Sequence, residues 1–197
     1  MNRMSQLEQM AKENSGVLKT SMAVNAGISR PTIKAFIQKN GFERISSGIY
    51  CAPDVWRDEF FLLQLRCPSL IFSHDTALFL FDLTDREPIS PTVTARNGYN
   101  PSHLTKEGVK VYTVKNELFE LGKTTRETPY GNTVVTYDLE RTVCDIVRSR
   151  HTIDQQVYQD ALKQYARRRD RDLHRLMEYA RLFRVDRIMT PYMEVLL

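Results

Sequence analysis

The chain has 197 residues, 42% hydrophobic and 26% charged, the composition of a folded chain rather than a disordered one. With 28 Lys and Arg against 24 Asp and Glu, the net charge of +4 permits nucleic-acid binding without demanding it. Cys51, Cys67 and Cys144 are too few and too far apart for a disulfide framework, and apolar runs such as 76–81 are too short to cross a bilayer.

Residues 2–6 carry no apolar signal stretch, so a cytoplasmic protein with no membrane partner is expected. The positive charge lies at the two ends. Residues 1–56 hold 7 basic and 4 acidic residues, 57–150 hold 12 and 13, and 151–197 hold 9 and 7.

Residues 5–14 form a predicted helix with Leu7, Met10 and Ala11 at i, i+3 and i+4. Residues 16–18 are extended. Thr20 is positioned to cap a helix to Ala26 that Gly27 stops. Ser29 caps the next helix, Pro31 fits its first turn, and Gly41 ends it. Residues 42–45 and 49–51 then make a hairpin around Ser46, Ser47 and Gly48. Helix, helix, tight turn, helix and hairpin is the order of a winged helix-turn-helix, here spanning 1–56.

The second helix of the turn turns Ile33, Phe36 and Ile37 inward. Its outward face carries Pro31, Ala35 and Gln38, flanked by Thr32 and Lys34, and no acidic residue occurs between Asn14 and Gly41. Such a face suits the major groove. There Lys34, Gln38 and Thr32 have the donors and acceptors to read base edges. Lys19, Arg30, Lys39 and Arg44 are the expected phosphate contacts. Ser46 and Ser47 form the wing tip, and the helix start at Ser29 offers backbone N–H groups to a phosphate. The competing interpretation is a docking or dimerisation module with a solvated basic face.

Residues 57–197 read as a mixed α/β domain with a helical C-terminal part, which makes the whole chain α+β. Residues 56–66 are a predicted helix with Trp56, Phe60 and Leu63 inward. Ser73 caps a helix over 74–81. Residues 92–96, 109–114 and 133–137 are β-prone, and Asp138 caps a helix to about Arg148. Helices follow over 154–168 and 172–183, with a last one over 192–197 opened by Thr190 and Pro191.

Catalytic patterns are weak. His74 has no second acid–base group tied to it by spacing and reads as structural. Asp82, Asp85 and Glu87 read as a turn, not a Mg²⁺ site, and Asp138, Glu140 and Asp145 as a cap and two helix positions. No phosphate loop or nucleophile elbow occurs, so no catalytic residue, cofactor or metal is expected. Arg167, Arg168, Arg169 and Arg171 read as a solvated helix face or, alternatively, as a surface for an anionic partner.

Three segments in series resemble AbiEi antitoxins of bacterial abortive-infection (type IV) toxin–antitoxin systems. In the first, Ser15 to Thr20, Ala26 to Ser29 and Gly48-Ile49-Tyr50 resemble the family's N-terminal winged helix. Residues 72–78, FSHDTAL, are similar to its S-H-x-[ST]-A-L segment, and residues 138–145, DLERTVCD, to its E-R-T-[LV]-x-D helix. The resemblance implies an antitoxin that also represses its own operon by binding inverted repeats in double-stranded promoter DNA. It implies a nucleotidyltransferase-like toxin as functional partner, without a stable complex. Arg167, Arg168, Arg169 and Arg171 are the candidate antitoxin surface. A monomer in solution that binds DNA cooperatively is expected. The alternatives are a weak nuclease delivered by the winged helix, and a docking module with no DNA role.

Overall fold

The computed structural model describes residues 2–196 and divides into two units, one ending at Arg66 and one starting at Cys67. In the first unit, α1 (Arg3–Glu13) leads into β1 (Val17–Lys19), α2 (Thr20–Asn25), α3 (Arg30–Lys39), β2 (Glu43–Ser46), β3 (Ile49–Cys51) and α4 (Glu59–Arg66). Asn2 caps α1 by accepting from the Met4 N–H, and Ser29 caps α3 by accepting from the Thr32 N–H. The turn between α2 and α3 is set by Gly27, whose φ of +77° lets the Ile28 N–H reach back to the Ala23 carbonyl at 3.0 Å.

The three strands form an antiparallel sheet in the order β1-β3-β2. Helical spacing on α1 and α3 brings Leu7, Ala11, Ile33 and Phe36 together with Leu18, Ala23 and Ile28. A second cluster joins Val17, Ile49 and Cys51 to Leu62 of α4. That contact places α4, which lies beyond the expected division at residue 56, with the first unit. Leu62 belongs to the core of the first unit, so the boundary falls ten residues later. Trp56 is also not inward: it is 84% exposed, because the helix starts only at Glu59, where Asp58 accepts from the Phe61 N–H.

The second unit is built on a five-stranded mixed sheet in the order β6-β5-β4-β8-β7. Its strands are β4 (Ile71–Phe72), β5 (Thr92–Arg96), β6 (Lys110–Val114), β7 (Lys123–Glu127) and β8 (Thr133–Tyr137). Pairings β4–β8 and β5–β6 are parallel, while β4–β5 and β7–β8 are antiparallel. The helices are α5 (His74–Leu80), α6 (Ser102–Lys106), α7 (Asn116–Phe119), α8 (Leu139–Arg148), α9 (Gln155–Arg167), α10 (Leu173–Leu182) and α11 (Asp186–Leu196). The chain is thus α+β.

Helix α8 is the centre of this unit. Every residue from Leu139 to Val147 is buried, and α5, α9 and α10 pack around it. Asp138 caps it by accepting from the Arg141 N–H at 2.8 Å. The last helix differs from expectation. It begins at Asp186, so Pro191 lies inside it rather than in its first turn, and Thr190 bonds back to the Asp186 carbonyl. Among the described residues no helix is long and apolar enough to cross a membrane.

Candidate nucleic-acid interface

In the first unit α2, α3 and the β2–β3 hairpin surround an open cleft of about 700 Å³. Helix α3 places Arg30 and Lys34 one turn apart on its rim, and the hairpin contributes Arg44 and Ser47. Ile33, Ile37, Val24 and Tyr50 form an apolar floor. The lining holds three cations and no carboxylate, a positive concavity whose field attracts anions. Gly48, at the hairpin turn, adopts a φ of +73°.

The cleft gathers Arg30, Lys34, Arg44 and Ser47 from the residues singled out in the sequence. It also brings in Ser21 and Asn25 of α2. Their i, i+4 spacing on the face opposite buried Ala23 was the available signal. Gln38 and Lys39 are exposed further along α3, outside the cleft lining, with Gln38 one turn beyond Lys34.

Four other candidates lie outside the cleft lining. Lys19 is half-buried, and its Nζ donates to the Leu65 carbonyl at 3.0 Å, which ties it to the end of α4. The Ser46 hydroxyl is buried without a hydrogen-bond partner rather than displayed at the hairpin tip. Ser29 and Thr32 share a hydroxyl–hydroxyl hydrogen bond of 2.8 Å that completes the helix cap. They define the N-terminus of α3.

In the second unit the arginine cluster is split. Arg168 forms a two-pronged pair with Asp170, both contacts at 2.8 Å, and donates to the Phe81 carbonyl at 2.8 Å. Arg171 donates to the Arg168 carbonyl. Of the four, Arg167 and Arg169 are exposed. Arg168 and Arg171 are partly buried, so the four do not form one fully exposed face. Those two residues lock the α9–α10 connection.

His74 is fully buried with a left-handed φ of +49°. Its Nδ1 lies 2.9 Å from Ser73 Oγ, its Nε2 lies 3.0 Å from Ser149 Oγ, and its ring stacks on Tyr112 at 3.5 Å. Burial, reinforced by the positive charges of Arg148, Lys110 and Arg141, pushes its pKa well below the ordinary histidine value. A neutral, enclosed imidazole bridging two hydroxyls holds structure together. Glu140 is likewise engaged, accepting from the Asp172 N–H at 2.9 Å and from the Tyr165 hydroxyl at 3.3 Å. Among the described residues no three His, Cys, Asp or Glu are grouped to hold a metal.

No family model matches the chain, and no curated protein matches it. Among solved structures, the crystal structure of the RV2827C protein from Mycobacterium tuberculosis is similar, with a TM-score of 0.59 over 92% of this chain and 72% of that one. The likeness is one of fold. Sequence identity is 12%, and no residue role passes between the two.

Proposed function

We propose that the first unit is a winged helix-turn-helix and that the protein binds double-stranded promoter DNA as a repressor of its own operon. The observation that carries the reading is the cleft where Arg30, Lys34 and Arg44 converge without a carboxylate. Helix α3 is the recognition helix, and the β2–β3 hairpin is the wing. Lys34 and Gln38 read base edges, while Arg30 and Arg44 hold phosphates on either side. Three cations give modest affinity, so paired half-sites in an inverted repeat and cooperative occupancy supply the remainder.

Through the resemblance of residues 72–78 and 138–145, the same reading makes the protein an antitoxin whose partner is a nucleotidyltransferase-like toxin. Both segments serve the core of the second unit, with His74 and Arg141 fully buried. Neutralisation is accordingly assigned to a surface that this core supports and not to the two motifs themselves.

The test is a gel-shift of the full chain on its own upstream region against unrelated DNA of equal length, across a salt series. Tighter, salt-sensitive binding to the upstream region supports the reading. Equal affinity for both DNAs rules out operator recognition. No salt-sensitive binding leaves the docking module as the better account.

A further inference from the structure

A second cleft, of about 670 Å³, opens in the second unit between the end of β6, helix α7 and the C-terminal ends of α8 and α10. Its apolar wall is made by Leu118, Leu121 and Leu182, the last 49% exposed. Its cations are Lys115, Arg148 and Arg184, against one carboxylate, Glu117. We propose that this cleft binds a small organic anion, a carboxylate or phosphate group carried on an apolar body.

Neither guanidinium is fixed by a hydrogen bond, although Arg148 also lies 5.4 Å from the Phe183 ring. Arg148 Nη2 lies 3.9 Å from Asp145 Oδ1, too far for a hydrogen bond, and that buried oxygen has no hydrogen-bond partner. Among the described residues neither the Arg148 nor the Arg184 side chain donates a hydrogen bond. Lys115 meets Glu117 only at 4.0 Å, with both side chains exposed.

Arg184 also stands where its residue type is disfavoured. It follows α10 with a φ of +59°, while the Arg184 and Val185 N–H groups return to the Arg181 and Ala180 carbonyls. This closing turn ordinarily takes glycine. The arginine thus places a strained backbone conformation at the mouth of the cleft.

The floor is preformed. The buried Arg141 guanidinium donates to the carbonyls of Leu118 and Leu121, both at 2.8 Å, and stacks 4.2 Å from the Phe183 ring that also lines the cleft. Its Nη2 is buried without a hydrogen-bond partner. An anion seated by Arg148 and Arg184 gains charge-assisted, two-pronged hydrogen bonds. Its apolar body covers Leu182. A bare phosphodiester backbone would leave that wall uncovered. The proposal stands apart from DNA binding by the first unit.

The test is calorimetric titration of the full chain with octanoate, octyl phosphate, 1-octanol and inorganic phosphate. One of the two amphiphilic anions should bind saturably, about tenfold or more tighter than octanol and than inorganic phosphate. The preferred anion distinguishes a carboxylate from a phosphate ligand. Arg184→Gly removes a charge while relieving the left-handed conformation, so it should fold. It should weaken anion binding about tenfold and leave octanol unchanged. Leu182→Ser should weaken both. Absence of saturable anion binding, octanol binding as tightly as the anions, or an Arg184→Gly variant with unchanged anion affinity would each overturn the proposal.

Discussion

Arg141 and Asp145, one helical turn apart on α8, form an ion pair at 3.0 Å with both side chains fully excluded from solvent. The Arg141 guanidinium lies between the rings of Tyr137 and Phe183, at 4.0 and 4.2 Å, and its Nη1 holds the backbone of the α7–β7 connection. A charge so placed joins α8, α10 and the sheet in one network. The E-R-T-x-x-D pattern of residues 140–145 is thereby a framework element.

Removing one partner should be far worse than removing both. Arg141→Met leaves Asp145 buried without its cation and should lower stability by about 3–5 kcal/mol in chemical denaturation. Burial already pushes the Asp145 carboxyl upward, with Arg141 opposing it. In the variant only Arg148 still opposes it, so stability should rise as pH falls, because the folded state takes up the proton. The double variant Arg141→Met with Asp145→Leu should recover most of the loss. A double variant as unstable as the single one would show that the carbonyls of Leu118 and Leu121, not the charge, set the cost.

On DNA, cleft residues should separate from the rest by salt slope. Arg30→Ala and Arg44→Ala should each reduce the magnitude of the salt slope by about 1 with similar losses on all sequences. Lys34→Ala or Gln38→Ala should cost about 1–3 kcal/mol on the operator and less on random DNA. Lys19→Ala should leave the slope unchanged, since its ammonium is bound to the Leu65 carbonyl. A slope that falls with Lys19→Ala would place this lysine at the phosphates after all.

The cap and stop residues explain why the first unit was readable. Ser29 with Pro31, and Gly41 with its φ of +66°, fixed α3 within a residue of its observed ends. The cleft was only half readable: the i, i+4 spacing of Ser21 and Asn25 marks one face of α2, but only the α2–α3 turn brings that face to the cleft. Strand β7 was missed for a physical reason. Lys123–Glu127 is an edge strand whose residues are mostly exposed, so it shows no apolar alternation. Carbonyl acceptors for Lys19 and Arg168 come from elements distant in sequence, which composition cannot reveal.

Acidification should act through His74. Its folded pKa lies below the ordinary 6.5, so the unfolded chain binds the extra proton first. Stability from the neutral imidazole is complete above pH 6.5 and is lost as pH falls from there toward the depressed value. The slope cannot exceed about 1.4 kcal/mol per pH unit. His74→Asn tolerates the left-handed backbone and cannot protonate, so its denaturation midpoint should be flatter over this window. An unchanged slope would move the titrating proton to another group.

Arg184 gives a prediction about stability that is separate from any ligand. The turn after α10 has both hydrogen bonds of the glycine-type helix ending, 3.1 Å from the Arg184 N–H to the Arg181 carbonyl and 2.8 Å from the Val185 N–H to the Ala180 carbonyl. The backbone is therefore already in the form that glycine prefers, while an arginine Cβ crowds the carbonyl in that form. Arg184→Gly should raise stability by about 0.5–1 kcal/mol, the relief of strain exceeding the entropy that glycine adds to the unfolded chain. Asp82 offers the matching control at the end of α5. It has a φ of +55° in an equivalent turn, and Asp82→Asn should be nearly neutral because both side chains tolerate this region. A loss of stability in Arg184→Gly, measured by denaturation without added anion, would mean that the arginine side chain makes a folded-state contribution larger than its backbone strain.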